Sequence, residues 1–246
     1  MPYKNESLTT RRDFSRAGLQ LLMPLVMLRA AGYSGDLWAL DLSSLTNADA
    51  TNGLKTALAR GTAAAIESLG KTDGFLGNPL VKIPLPGYME NAAKVMRSLG
   101  HGAKVDELVT SMNRGAEQAV PMAKNLLVKT VQAMSVTDAK NVLSGGEGAA
   151  TKFFSEKTRA PLGVQFLPLV TKATERVGLA EKYNSLASKL QQFGLVKPED
   201  ANIQKYVTGK SLDGLYTMIG EEEKKIRKDP IGTGSAILSK VFGNLK

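Results

Sequence analysis

Ser211-Leu212-Asp213-Gly214-Leu215-Tyr216-Thr217-Met218-Ile219-Gly220-Glu221-Glu222-Glu223-Lys224-Lys225-Ile226-Arg227-Lys228 is the stretch from which the fold class follows. Leu212, Leu215, Ile219 and Ile226 recur in steps that fall on one stripe of an α-helix and on no single face of a strand. Acids precede bases, the order that helix pairing favours, with Glu221 facing Lys225 and Glu223 facing Arg227. Asp229-Pro230 ends the helix, because the residue before a proline resists the α region. Between Ile219 and Ile226 the core-facing stripe is occupied by Glu222 and Glu223. One of these carboxylates is therefore expected to point inward and to pair with a cation such as Arg114 or Arg159.

The same period runs outward through the chain. Leu54, Leu58, Ala65 and Leu69 mark a helix over 47–69, with Thr46 or Asn47 as cap and Gly70 as stop. Residues 70–87 carry three prolines and two internal glycines, so a long loop is expected there. Helical spacing resumes over 88–99, halts at Gly100-His101-Gly102, and continues from Val105 to Val120. Pro121 kinks that helix or starts a new one reaching Met134. Ser135 or Thr137 caps a short segment that stops at Gly145-Gly146. Further helices are expected over 149–158, over 162–177 with Pro168 inside, over 179–193, as a short turn over 203–207, and over 235–242. The reading is an all-α, multi-helix bundle with a long Pro/Gly-rich loop after its first helix.

Composition agrees. Aromatic residues make up 6% of the 246 and apolar residues 43%, a balance that suits a globular helical core. No cysteine is present, which excludes disulfides, thiolate nucleophiles, cysteine-bound metal and a lipidated N-terminal cysteine. Thr9-Thr10-Arg11-Arg12-Asp13-Phe14-Ser15-Arg16 followed by an apolar run to Leu28 reads as a twin-arginine-type export leader. The run is short, contains Pro24 and closes at Arg29, so it is read as a signal rather than a transmembrane anchor. Cleavage is expected after Gly32, Gly35 or Ala39, giving a leader and short linker over 1–39 and a single helical domain over 40–246. The expected location is the periplasm. Residues 1–35 hold five cations against two acids and so account for +3 of the formal +9, leaving +6 on the mature part. Such a surplus permits peripheral contact with an anionic membrane surface, while no nucleic-acid partner is expected.

Several blocks together carry a family resemblance. They are Gly74-Phe75-Leu76-Gly77-Asn78-Pro79 with Lys82-Ile83-Pro84-Leu85-Pro86; Ser111-Met112-Asn113-Arg114 with Glu117 and Pro121; Gly145-Gly146 with Ala149-Ala150-Thr151; and Leu212-Asp213-Gly214-Leu215 through Glu222 to Asp229-Pro230. Over roughly residues 42–243 the chain resembles the uncharacterised bacterial family known as domain of unknown function 4197. The resemblance implies an exported, mostly helical domain and brings no assigned activity. Gly115 departs from the Ala-rich usage of its block and is expected to loosen that helix.

Chemistry is sparse. His101 is the only histidine and sits between two glycines, which favours an exposed loop residue and rules out a bundle metal site needing two histidines. Ser144-Gly145-Gly146-Glu147-Gly148 leads into a helix but lacks the Gly-Lys-Ser/Thr ending of a phosphate loop. Asn113, Arg114 and Glu117, with Glu222 and Glu223, are the candidates for a polar network or ligand site. Phe75, Asn78 and Lys82 form a candidate recognition loop or, equally, a strap that seals one end of the bundle. No cofactor and no metal are expected. The function read from these features is non-enzymatic binding of an envelope protein or an apolar or lipid ligand. The alternative is a carboxylate-based enzyme, such as a hydrolase assisted by a hard metal, built on inward Glu222 or Glu223, Asp213, Asp229 and Arg114.

Overall fold

The computed structural model describes residues 47–175, 179–194, 196–198 and 200–229. The leader, its cleavage positions and the helix expected over 235–242 lie outside the described residues. Among those described there are eight α-helices and no strand: α1 (Asn47–Gly70), α2 (Glu90–Ser98), α3 (Gly102–Ala119), α4 (Ala123–Gln132), α5 (Val136–Ser144), α6 (Ala149–Glu175), α7 (Leu179–Gln192) and α8 (Ile203–Lys228). The protein is an all-α multi-helix bundle, with the expected irregular segment between α1 and α2.

α8 is its central element. Leu212, Leu215, Ile219 and Ile226 are buried as their spacing requires, and Tyr206, Val207, Ser211 and Tyr216 extend the burial well around the helix. It packs against α6, α1 and α3, and α4 lies against both α1 and α6. α6 runs antiparallel to α8: Thr151 meets Glu223, Thr158 meets Tyr216, and Arg159 meets Asp213.

Two helices are longer than the sequence reading allowed. The segments expected over 149–158 and 162–177 form one helix, α6, which passes through Pro161 and Pro168. Both prolines are exposed and seven residues apart, as are Lys157 and Val164, whose carbonyls lose their helical partners. Water can satisfy those carbonyls, so the helix survives. What carries it through is a buried stripe in steps of four: Ala150, Phe154, Thr158, Leu162, Phe166, Val170 and Thr174. Each such step advances about 40° around a helix, so the stripe drifts through more than half a turn. The helix accordingly begins against α8 and ends against α3, where Gly115 faces Val170 and Ala173. A Cβ on Gly115 would lie 3.1 Å from that of Ala173, so this glycine closes the α3–α6 crossing. The turn expected over 203–207 likewise continues through Gly209 into α8, because the buried side chains on either side outweigh the cost of one glycine. Asn202 caps it by accepting from the Lys205 amide.

Boundaries elsewhere follow local chemistry. Ser135 and Asp138 form a reciprocal capping box at α5. Pro121 sits in a single 3-10 turn that joins α3 to α4. Gly100 ends α2 with φ at 81°.

Candidate functional site

The loop between α1 and α2 is held from below by α3. Phe75, Val81 and Ile83 are buried, so the loop contributes three core side chains. Phe75 packs on Gly214 of α8, where a Cβ would come within 2.6 Å of its ring. Asn113 exchanges two hydrogen bonds with Ile83, accepting from its amide at 2.9 Å and donating to its carbonyl at 2.9 Å, as a neighbouring strand would. Glu117 Oε1 accepts from the amides of Phe75 and Leu76 at 3.1 and 3.2 Å. Its Oε2 accepts from Arg114 at 2.6 Å, and Arg114 reaches on to Asp73 at 2.8 Å. Asp73 itself adopts φ of 64°, a left-handed conformation that aspartate tolerates better than most residues.

The structure thus joins two groups of candidates that the sequence kept apart. Asn113, Arg114 and Glu117 are the anchors, and the loop of Phe75, Asn78 and Lys82 is what they anchor. Asn78 accepts from the Leu80 amide and turns its own amide toward Met218 sulfur at 3.8 Å, while Lys82 is exposed.

Glu223 forms a second junction of the same design. It is 5% exposed and points inward, as one carboxylate of the pair was expected to do. Its cation is neither Arg114 nor Arg159 but Arg227, one turn along α8, at 2.9 Å. Arg159 pairs with Asp213 instead. The same carboxylate accepts the amides of Ala150 and Thr151 at 3.2 and 3.1 Å and the Thr151 hydroxyl at 3.0 Å. Arg227 also donates to the Val142 carbonyl on α5, so one ion pair ties α5, α6 and α8 together. The Ala150 and Thr151 amides, in the favourable field at the N-terminus of α6, are therefore taken by an internal carboxylate. Glu221 stands one turn from Lys225 but pairs with Lys224 at 3.0 Å, and Glu222 takes Lys225 at 2.7 Å.

Polar groups that solvent can reach converge elsewhere. An open cleft of about 750 Å³ lies between α6 and α8, lined by Thr151, Lys152, Ser155 and Arg159 on one wall and Asp213, Tyr216, Thr217 and Glu221 on the other. Arg159 meets Asp213 at 2.6 Å in this cleft and lies 5.9 Å above the Tyr216 ring. Gly220 and Gly148 line it without side chains. The sequence reading did not assemble this cleft. Its trace was the polar stripe Thr151, Ser155 and Arg159 at four-residue spacing on α6. His101 is exposed, and among the described residues no three His, Asp or Glu side chains converge in a manner that would hold a metal ion. Also unforeseen is a junction at the other end of α7, where the hydroxyls of Tyr88 and Tyr183 meet at 2.6 Å beside the Asp200 carbonyl. Burial pushes both phenols up, Tyr183 the more strongly.

Residues 44–243 match the family model described as "Protein of unknown function (DUF4197)". The chain belongs to this family. The match spans every described helix, including both carboxylate junctions and the cleft. No curated protein and no solved structure matches the chain.

Proposed function

We propose that this DUF4197 protein is an exported, non-enzymatic binding protein of the bacterial envelope, with the α6–α8 cleft as its ligand-facing surface. The observation that carries this reading is that both oxygens of Glu117 and of Glu223 are engaged within the protein. Each buried carboxylate accepts two consecutive backbone amides and a guanidinium. Groups so engaged hold helices together, and neither carboxylate lines the α6–α8 cleft where acid–base work would take place. The cleft, by contrast, presents hydroxyls, both signs of charge and an aromatic ring on rigid helices, which suits a polar or zwitterionic ligand better than an apolar one. The Arg11-Arg12 leader supports the location.

The test is native mass spectrometry with elemental analysis on protein isolated from the periplasm. A mature chain lacking the leader and carrying a polar adduct that the exposed-residue change Thr217→Trp abolishes is the expected result. Protein that still begins at Met1 overturns export, and a stoichiometric metal overturns the non-enzymatic reading.

A further inference from the structure

The positive charge of the described chain is unevenly placed. α1 and α4 pack as an antiparallel pair: the Lys55 ammonium donates to the Gln132 carbonyl at 2.9 Å, while Gly70 and Lys71 lie beside Pro121 and Lys124 at the other end. α1 and the residue after it carry Lys55, Arg60 and Lys71 against Asp49 and Glu67. From Gln118 to Thr137 the chain contains no acid, and it presents Lys124 and Lys129. With Lys71, the pair therefore holds five cations against two acids, a net +3. α2 and α3, by comparison, carry four of each sign and are neutral.

Arg60, Lys71, Lys124 and Lys129 are all exposed, and no described acid pairs with the three lysines. Among them lie Ala63, Ala64, Pro121 and Met122, the last 47% exposed. We propose that this α1–α4 face docks on an anionic lipid surface, its cations at the headgroups and its small apolar side chains at the boundary beneath them. Lipid is favoured over nucleic acid by that chemistry. Four of the five cations are lysines, whose flexible stems reach a diffuse negative surface as point charges. The described face also lacks an aromatic side chain on which a base would stack. None of its residues belongs to the α6–α8 cleft, so this inference stands or falls apart from the ligand reading.

Vesicle co-sedimentation of the full chain tests it, using phosphatidylglycerol mixed into phosphatidylcholine against phosphatidylcholine alone. One variant is K71E/K124E/K129E. A second, K94E/K182E/K189E, makes the same net charge change at exposed lysines on α2 and α7. Each cation near an anionic surface contributes about fivefold in partitioning, so neutralising three costs roughly a hundredfold, and reversal no less. The expected result is binding to the anionic vesicles alone, weakened by salt, lost in the first variant and retained in the second, both variants melting like the parent. Equal loss in the two variants overturns the face, because overall charge then accounts for binding. Retention in the first variant overturns it as well. Displacement from vesicles by a short DNA duplex at matched ionic strength, or by inorganic phosphate, replaces a lipid surface with those ligands and equally overturns the proposal.

Discussion

Glu223 shows how much one side chain settles. Its carboxylate accepts backbone amides from α6 and a guanidinium from its own helix while almost wholly buried. Removing the charge from such a junction takes the carboxylate from Arg227, itself 16% exposed, and from an amide pair that loses its anion. Glu223→Gln is therefore expected to lower stability by about 3 kcal/mol in urea unfolding, the range for breaking a buried pair. Glu222→Gln, which removes only a surface pair with Lys225, is expected to change it by less than about 0.5 kcal/mol. The tyrosines give a second residue-scale expectation. All four described phenols are raised by burial, Tyr206 to about 12, where it donates to the Pro84 carbonyl. A folded pKa above the unfolded value of about 10 means stability that is complete below pH 10 and lost as pH rises through the folded value. An alkaline titration followed by phenolate absorbance and circular dichroism should show these tyrosines ionising only as the helices melt. Ionisation of more than two of the six phenols near pH 10 in folded protein, beyond what Tyr3 and Tyr33 can supply, would sink the expectation.

Among the elements, α6 and α8 divide what the sequence disclosed from what it concealed. The stripe Leu212, Leu215, Ile219 and Ile226 is visible as a period, and so is the inward position of a glutamate in its gap. The Ser135 cap and the Gly100 stop are likewise local signals read from adjacent residues. Continuity through Pro161, Pro168 and Gly209 is not local. It depends on which side of the helix meets water, and that is decided by α3 and α8 from far along the chain. Glu223's amide partners lie 72 and 73 residues away, and no spacing rule reaches them. The cleft was hidden for the same reason, since its two walls come from different helices. Gly209 provides a direct check: a Cβ there meets nothing within 4 Å, and its φ is not left-handed. Gly209→Ala is expected to raise stability by about 0.5–1 kcal/mol, read from the urea midpoint. Gly214→Ala, five residues along, is expected to lower it by about 1–3 kcal/mol because its methyl enters the Phe75 ring. If both changes shift the midpoint alike, helix propensity alone governs α8 and the close packing of the loop counts for little.

For the molecule as a whole, the order of elements matters as much as their contacts. α8 comes last among the described helices, yet it packs against α1, α3 and α6, so a chain ending at Phe193 lacks the surface around which the earlier helices assemble. Such a truncation is expected to keep some helical circular dichroism while losing any cooperative thermal transition; a sharp transition would show that α8 is dispensable. The carboxylate that caps α6 also travels on this last helix, which sets a clock. Translation at about 5–20 residues per second delivers Glu223 roughly 4–15 s after Ala150. For those seconds the emerging chain has neither the helix its bundle assembles around nor the carboxylate that caps α6, and it is then that a chaperone or a protease has its best purchase on it.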